Sequence, residues 1–446
     1  MANPRLVALE ALNDILERKI YADEALSSAF ESRKLNKKDK ALATELIYGV
    51  TRNKLAIDFL ISKISKRELR HLSFNLRNIL RLGVYQLEYT RIPEYAAVNS
   101  TVELCKIVEN TKVSTFVNGI LRNLIKQRPA IKFPKISRNR SYALSIKFSH
   151  PKWVVKRWLD NFGLDNTMSL LSFNNTSPQV TININRIKAS YEEVLNELEE
   201  VHIHPTPSTI SPQCLKIGNA GLITQIPGFY EGHWFVQDEL SSLVVDILSP
   251  QEGETIIDLC AAPGIKTVQS AGYMNNKGKI YAIDIKEDRI KRIKQNCYRL
   301  GVNIIECIHD DGTTFTMPEN NLADKILIDA PCSNTGVFNK RADARWHRRK
   351  SDLVKLPQTQ LKLLNNATKL LKQSGIMVYS VCSIEPEEGI EVINKFLDEN
   401  KNFELLDIKN FLPDNLKETF ETRYALFLPF EHLTDGFFIA SVKKLY

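Results

Sequence analysis

The sequence predicts a multidomain protein, an all-α N-terminal domain followed by an α/β domain of Rossmann-like type. Three observations point there. The chain has 446 residues, too many for one ordinary domain. Before residue 130, apolar residues recur at helical spacing. From residue 254 onward, short apolar strands alternate with helical stretches, the pattern of a parallel, doubly wound sheet. The expected division is 1–130 for the helical domain, 131–245 for a connector and small mixed α+β domain, and 246–446 for the Rossmann-like domain.

Leu6, Leu9, Leu12 and Leu16 place one helix, and Leu76, Ile79, Leu80, Val84 and Leu87 another. Pro93 marks a break between helices, and VNGILRNLIKQRP closes one with basic residues before Pro129. The basic cluster RKLNKKDK (33–40) is placed between helices. Residues 131–150 read as a connector. HPKWVVKRW then opens a helix, VTININR alternates like a strand, and SYEEVLNELEEV is an amphipathic helix. The later strands are TIIDLC, KIYAIDI, KILIDA and GIMVYSVCS.

Charge is unevenly spread. Residues 1–150 hold 27 Lys and Arg against 14 Asp and Glu, a net of +13, so the other 296 residues carry −5 of the chain's +8. A basic module joined to a slightly acidic one suits a polyanion-binding half and a separate catalytic half. No apolar run is long enough to span a membrane, and the N-terminal segment has no apolar signal core, so a cytoplasmic protein is expected. The seven cysteines are odd in number and form no C-x-x-C pair, which argues against disulfides and a zinc site; no metal is expected.

DLCAAPGIKT (258–267) follows a strand and precedes a helix. Small residues there let the backbone approach a ligand, and helix N–H groups lie beyond. Asp284 ends the next strand, where an acid accepts hydrogen bonds from ribose hydroxyls. The loop lacks G-x-G-x-x-G, which disfavours a nicotinamide dinucleotide. Asp310 and Asp311 follow strand IIECI, and either could take an adenine amino group.

KILIDAPCSNTG (325–336) puts Asp329 and Cys332 at one strand's carboxyl end, and YSVCSIEPEE (379–388) does the same for Cys382. Both thiols then face the crevice where a methyl acceptor lies. Such chemistry suits cytosine, whose C5 becomes nucleophilic only after a thiolate adds to C6. Asp329 is placed to hydrogen-bond the base edge. Ser383 is the expected cap of a helix after Cys382, whose N-terminus would favour the thiolate. The strand end reads DAPC rather than DPPY, against methylation of an exocyclic nitrogen.

These segments together resemble the Sun/RsmB family of 16S rRNA cytosine-5 methyltransferases, part of the Nol/Nop/Sun superfamily. The resemblance covers nearly the whole chain, and residues 1–130 are similar to the NusB-like RNA-binding domain of these enzymes, notably at GVYQLEYTRIP and VNGILRNL. It implies S-adenosylmethionine as cofactor, held by Cys260, Ala261, Ala262, Pro263, Gly264, Ile265 and Lys266 with Asp284, Asp310 or Asp311, and Asp329. It implies Cys382 as nucleophile and Cys332 as the thiol linked to proton removal or product release; spacing alone does not choose between them. RADARWHRR (341–349) resembles the loop after the first cysteine motif, with Arg341, Arg345, Arg348 and Arg349 around Trp346 read as phosphate contacts beside a stacking surface. Ile265, Val381 and Asn183 depart from the family's usual Gly, Thr and Arg.

The expected function is methylation of C5 of a specific cytosine in 16S rRNA, free or in an early assembly particle, by a monomer. The alternatives are a cytosine-C5 methyltransferase of tRNA or 23S rRNA, and a non-catalytic RNA-binding or ribosome-assembly factor.

Overall fold

The computed structural model describes residues 3–218, 221, 223–318 and 321–446. Packing divides the chain into two units, Met1–Ser177 with Val337–Lys350, and Pro178–Gly336 with Ser351–Tyr446.

The first unit is helical, with helices Pro4–Leu16, Ala22–Ser32, Lys37–Ile64, Phe74–Tyr89, Glu94–Val108, Thr111–Gln127, Arg140–Phe148 and Lys152–Phe173. Side-chain caps start several of them: Asn3, Asn36, Ser73 and Asn110 accept from Arg5, Asp39, Leu76 and Val113 main-chain N–H groups. Pro93 is the cap of Glu94–Val108, so the break expected there is real. Leu9, Leu12, Leu16, Leu76, Ile79, Leu80, Val84 and Leu87 share one core. Only Arg33–Asn36 of the basic cluster lie between helices. Lys37, Lys38 and Lys40 sit in a helix's first turn, where Asp39 offsets their conflict with the dipole.

The 337–350 segment overturns one expectation. Arg345 is fully buried. Its guanidinium donates to the carbonyls of Ser149 (3.2 Å), Asn174 (2.9 Å) and Phe338 (3.0 Å), and to Asn175 Oδ1 (3.0 Å). The Trp346 indole donates to the Thr51 carbonyl at 2.7 Å and packs on the helical core. Arg341 pairs with Asp23 at 2.8 Å. Arg345 and Trp346 therefore fasten the segment into the helical unit, and Arg345 is an internal anchor rather than a surface phosphate contact.

The second unit holds two sheets. The smaller contains β1 (Val180–Ile184), β2 (Thr206–Pro207), β3 (Cys214–Gly218) and β4 (Trp234–Val236) in the order β2-β3-β1-β4, all antiparallel. Asn183 on β1 points inward, donating to Gln237 Oε1 at 2.8 Å and Ser242 Oγ at 2.7 Å. A buried amide, not a basic side chain, occupies that position.

The larger sheet contains β5 (Thr255–Asp258), β6 (Lys279–Asp284), β7 (Ile305–His309), β8 (Ala323–Asp329), β9 (Leu371–Val381), β10 (Phe403–Leu405), β11 (Ala425–Phe427) and β12 (Phe437–Lys444). Its order is β10-β12-β9-β8-β5-β6-β7, with β11 also on β12. β5 to β9 are parallel, as expected, but β12 runs antiparallel to β9, β10 and β11, so the sheet is mixed. The chain runs outward from β5 to β7 and returns to β8 on the other side of β5. Strand order thus reverses between β5 and β8, which opens a crevice at their carboxyl ends.

Candidate active site

The carboxyl ends of β5 to β9 supply the residues at that crevice. β5 ends on Asp258, and the loop after it turns through a cis Ala262–Pro263 bond into Gly264, at φ +92°. A Cβ at Gly264 would lie 2.8 Å from Ile293 Cγ2, so conformation and space both require glycine. Helix Ile265–Tyr273 starts there. Thr267 Oγ1 donates to Asp258 Oδ2 at 2.7 Å, tying the helix to the strand tip. Burial pushes the Asp258 carboxyl up to about 7 against that hydrogen bond, which pulls it down.

β6 ends on Asp284, 6% exposed. Its carboxylate accepts from Ala262 N at 3.3 Å and Lys286 N at 3.0 Å, so it braces the loop and keeps lone pairs for other donors. Beyond β7 the two acids part. Asp310 is exposed and accepts from the Asp311 amide at 2.7 Å. Asp311 accepts from Thr313 N and Oγ1, both at 2.8 Å, through Oδ1. The adjoining Gly312 is so close to the β5 loop that a Cβ would lie 2.5 Å from the Leu259 carbonyl. Burial, then the charges of Asp258, Asp329, Asp284 and Asp311, hold the Cys260 thiol well above the usual cysteine range.

β8 ends on Asp329. Lys266 Nζ donates to its Oδ2 at 2.7 Å and Ser380 Oγ to its Oδ1 at 2.9 Å. Burial lowers the Lys266 ammonium, but Asp329, with Cys382 and Asp258 adding to it, carries it above an ordinary lysine. A fixed cation therefore stands at the tip of β8, close enough to Cys382 to feel its charge.

The two cysteines are brought together. Cys332 Sγ and Cys382 Sγ lie 3.3 Å apart, and Asn334 Oδ1 accepts from Cys382 at 3.1 Å and Cys332 at 3.4 Å. Cys332 is 3% exposed while Cys382 is half-buried, so Cys382 is the more accessible sulfur. The hydrogen bond to Cys382, then burial, raises the Cys332 thiol well above its usual range.

Beneath the thiols lies Glu388, fully buried. It accepts from Ser333 N at 2.8 Å, from Ser333 Oγ, from Ser383 Oγ at 2.5 Å and from Gln360 Nε2 at 3.3 Å. Burial raises its carboxyl and these hydrogen bonds oppose the rise. Glu388 so joins the loop of Cys332 to the loop of Cys382. A further link closes the site, since Gly336 N donates to the Cys382 carbonyl at 3.2 Å and Gly436 N to the Gly336 carbonyl at 2.8 Å.

One local expectation fails here. Ser383 does not cap an α-helix. It binds Glu388 and accepts from Glu385 N at 3.2 Å, the next residues form a 3-10 turn at Pro386–Glu388, and the α-helix starts only at Ile390. The cation of Lys266, rather than a helix N-terminus, supplies positive charge near Cys382. Sequence reasoning also missed Asp258, Asn334 and Glu388. Asp258 had a signal, an acid at the tip of the first strand. Glu388 had none, because nothing in SIEPEE marks which acid turns inward. Among the described residues, no group of three or more His, Cys, Asp or Glu could hold a metal, and no helix is long and apolar enough to cross a membrane.

Comparison with known proteins gives consistent matches. Residues 245–443 match the family model for the 16S rRNA methyltransferase RsmB/F, residues 2–126 the NusB family, and residues 150–224 a ferredoxin-like domain of RsmF/B-like methyltransferases. The chain is 33% identical over 446 residues to a probable ribosomal RNA small subunit methyltransferase B of Bacillus subtilis, covering 99% of this chain and 98% of the relative. It is 35% identical to the protein of the same description from Synechocystis, covering all of both. The crystal structure of PH0851 superposes with a TM-score of 0.84 at 29% identity, over 100% of this chain and 99% of the other.

Proposed function

The chain belongs to the RsmB/F family of 16S rRNA methyltransferases, and we propose that it methylates C5 of one cytosine in 16S rRNA through a covalent bond between Cys382 and C6 of the base. It is an rRNA methyltransferase, and S-adenosylmethionine is its methyl donor. The observation that carries the finer reading is the thiol pair at 3.3 Å beside Lys266 and Asp329, at the crevice where strand order reverses.

The residues present suit the cofactor. Asp284 retains acceptor capacity for a ribose diol, and Asp311, on the loop pressed against Leu259, suits an adenine amino group better than the outward Asp310. The 260–266 loop and Asp329 complete the set. When bound, S-adenosylmethionine supplies an electrophilic methyl group on a sulfonium that leaves as a neutral thioether.

The chain's own groups do the rest. The Cys382 thiolate adds to C6, the C5–C6 π bond opens, and Asp329 hydrogen-bonds the N3/N4 edge to stabilise the altered base. C5, now nucleophilic, forms its bond to carbon. Loss of the C5 proton to solvent base restores the double bond and breaks the S–C6 bond. Cys332, held as a thiol, hydrogen-bonds the departing Cys382 sulfur. Cys332 thus serves release. The target base leaves its stack to reach the crevice, and the basic residues before 150 attract the RNA backbone.

Labelled-methyl transfer to 16S rRNA, followed by bisulfite sequencing, tests this. One protected cytosine is the expected result; a different methylated base, or methylation of tRNA or 23S rRNA instead, rejects it.

A further inference from the structure

Asn334 stands in the DAPCSNTG segment without a part in the steps above. Its backbone is left-handed, at φ +62°, a conformation that asparagine tolerates better than most residues but that glycine takes freely. Its carboxamide oxygen lies within hydrogen-bond reach of both thiols, at 3.1 Å from Cys382 and 3.4 Å from Cys332. The sulfurs are themselves 3.3 Å apart, so the three groups form a closed triangle.

We propose that Asn334 is a positioning residue for the thiol pair: its carboxamide oxygen accepts the Cys382 S–H, holding the nucleophile protonated and aimed until the target base arrives. This rests on the reading of Cys382 as nucleophile. Three points support it. The amide oxygen is a neutral acceptor, so it favours the thiol without the full cost that a carboxylate would impose on a thiolate. The Ser333 and Thr335 hydroxyls on either side are turned to Ser383 and Glu388, which leaves Asn334 as the residue of its loop that faces the sulfurs. Lys266 Nζ is a donor tied to Asp329 Oδ2 at 2.7 Å and so offers the Cys382 S–H no acceptor, whereas Asn334 Oδ1 at 3.1 Å provides one.

The test is the pH profile of Cys382 alkylation by iodoacetamide in the full-length protein, read by peptide mass spectrometry. Two variants are compared with wild type. Asn334→Gly deletes the acceptor at a position where glycine is conformationally at ease, so folding is preserved. Asn334→Asp keeps the shape and adds a negative charge. The alkylation midpoint moves down in N334G and up by about one pH unit or more in N334D. The acid limb of the methyl-transfer pH profile moves in the same two directions. Midpoints that stay put, or that shift the same way in both variants, overturn the proposal. Because alkylation does not depend on turnover, this result is separate from the nucleophile assignment, which fails instead if Cys382→Ala still transfers methyl groups.

Discussion

The Cys332 sulfur lies 3.3 Å behind that of Cys382, with Cys332 3% exposed and Cys382 half-buried. One thiol is presented to the crevice and the other is buried in the core behind it, within hydrogen-bond reach of its partner and of Asn334. Accessibility therefore distinguishes two sulfurs that residue type alone leaves equal.

Cys382→Ala abolishes methyl transfer and leaves S-adenosylmethionine affinity within a few-fold, because Cys382 is outside the 260–266 loop. Cys332→Ala removes the hydrogen-bond donor for the leaving sulfur and accumulates a protein–RNA adduct that survives denaturing electrophoresis. Isothermal titration and gels with substrate RNA check both. Undiminished turnover in C382A defeats the assignment.

Asp258 makes apo-protein stability depend on pH. Its folded-state value is about 7, above the usual 3.8, so between those values the native state binds more protons than the unfolded chain. This contribution is full below the unfolded value and lost as pH rises through 7. Asp258→Asn should flatten the fall in stability between pH 4 and 8, a span worth on the order of a few kcal/mol. Denaturant melts across that range, without cofactor, measure it.

Glu388→Gln places an amide NH2 among four donors, two of them serine hydroxyls and one a main-chain N–H. Stability should fall by about 2–4 kcal/mol, and turnover should drop as the two cysteine loops lose their common anchor. Urea unfolding and adduct-formation rates read the two effects. An unchanged melt would show that the carboxylate is not the clamp described.

Gly264→Ala forces a side chain into φ +92° against Ile293. The cost is about 1–3 kcal/mol, with weaker S-adenosylmethionine binding because the displaced loop is the one proposed to hold it. Calorimetry on apo protein and cofactor titration distinguish the two consequences.

Arg345→Met leaves buried carbonyls of Ser149, Asn174 and Phe338 without their donor. The helical unit should lose about 3 kcal/mol or more. RNA binding by the protein that remains folded should keep its salt dependence, since no phosphate contact is lost. A slope reduced by about one would restore the guanidinium to the RNA interface.

The sequence by itself determined the helices before residue 130, the strand–helix alternation after 254, and the placing of Asp284, Asp329 and Cys382 at strand tips. Each follows from periodicity and turn chemistry, which act between residues a few positions apart. Parallel strands then end on one side, so a shared crevice was legible too. Tertiary structure alone decided which polar groups turn inward. Arg345 is buried because carbonyls from Ser149 and Asn174 converge on it, and Glu388 because Ser333 arrives from another strand's loop. The cost of burying a charge is met only by partners distant in the chain, and no local pattern records where those partners will be.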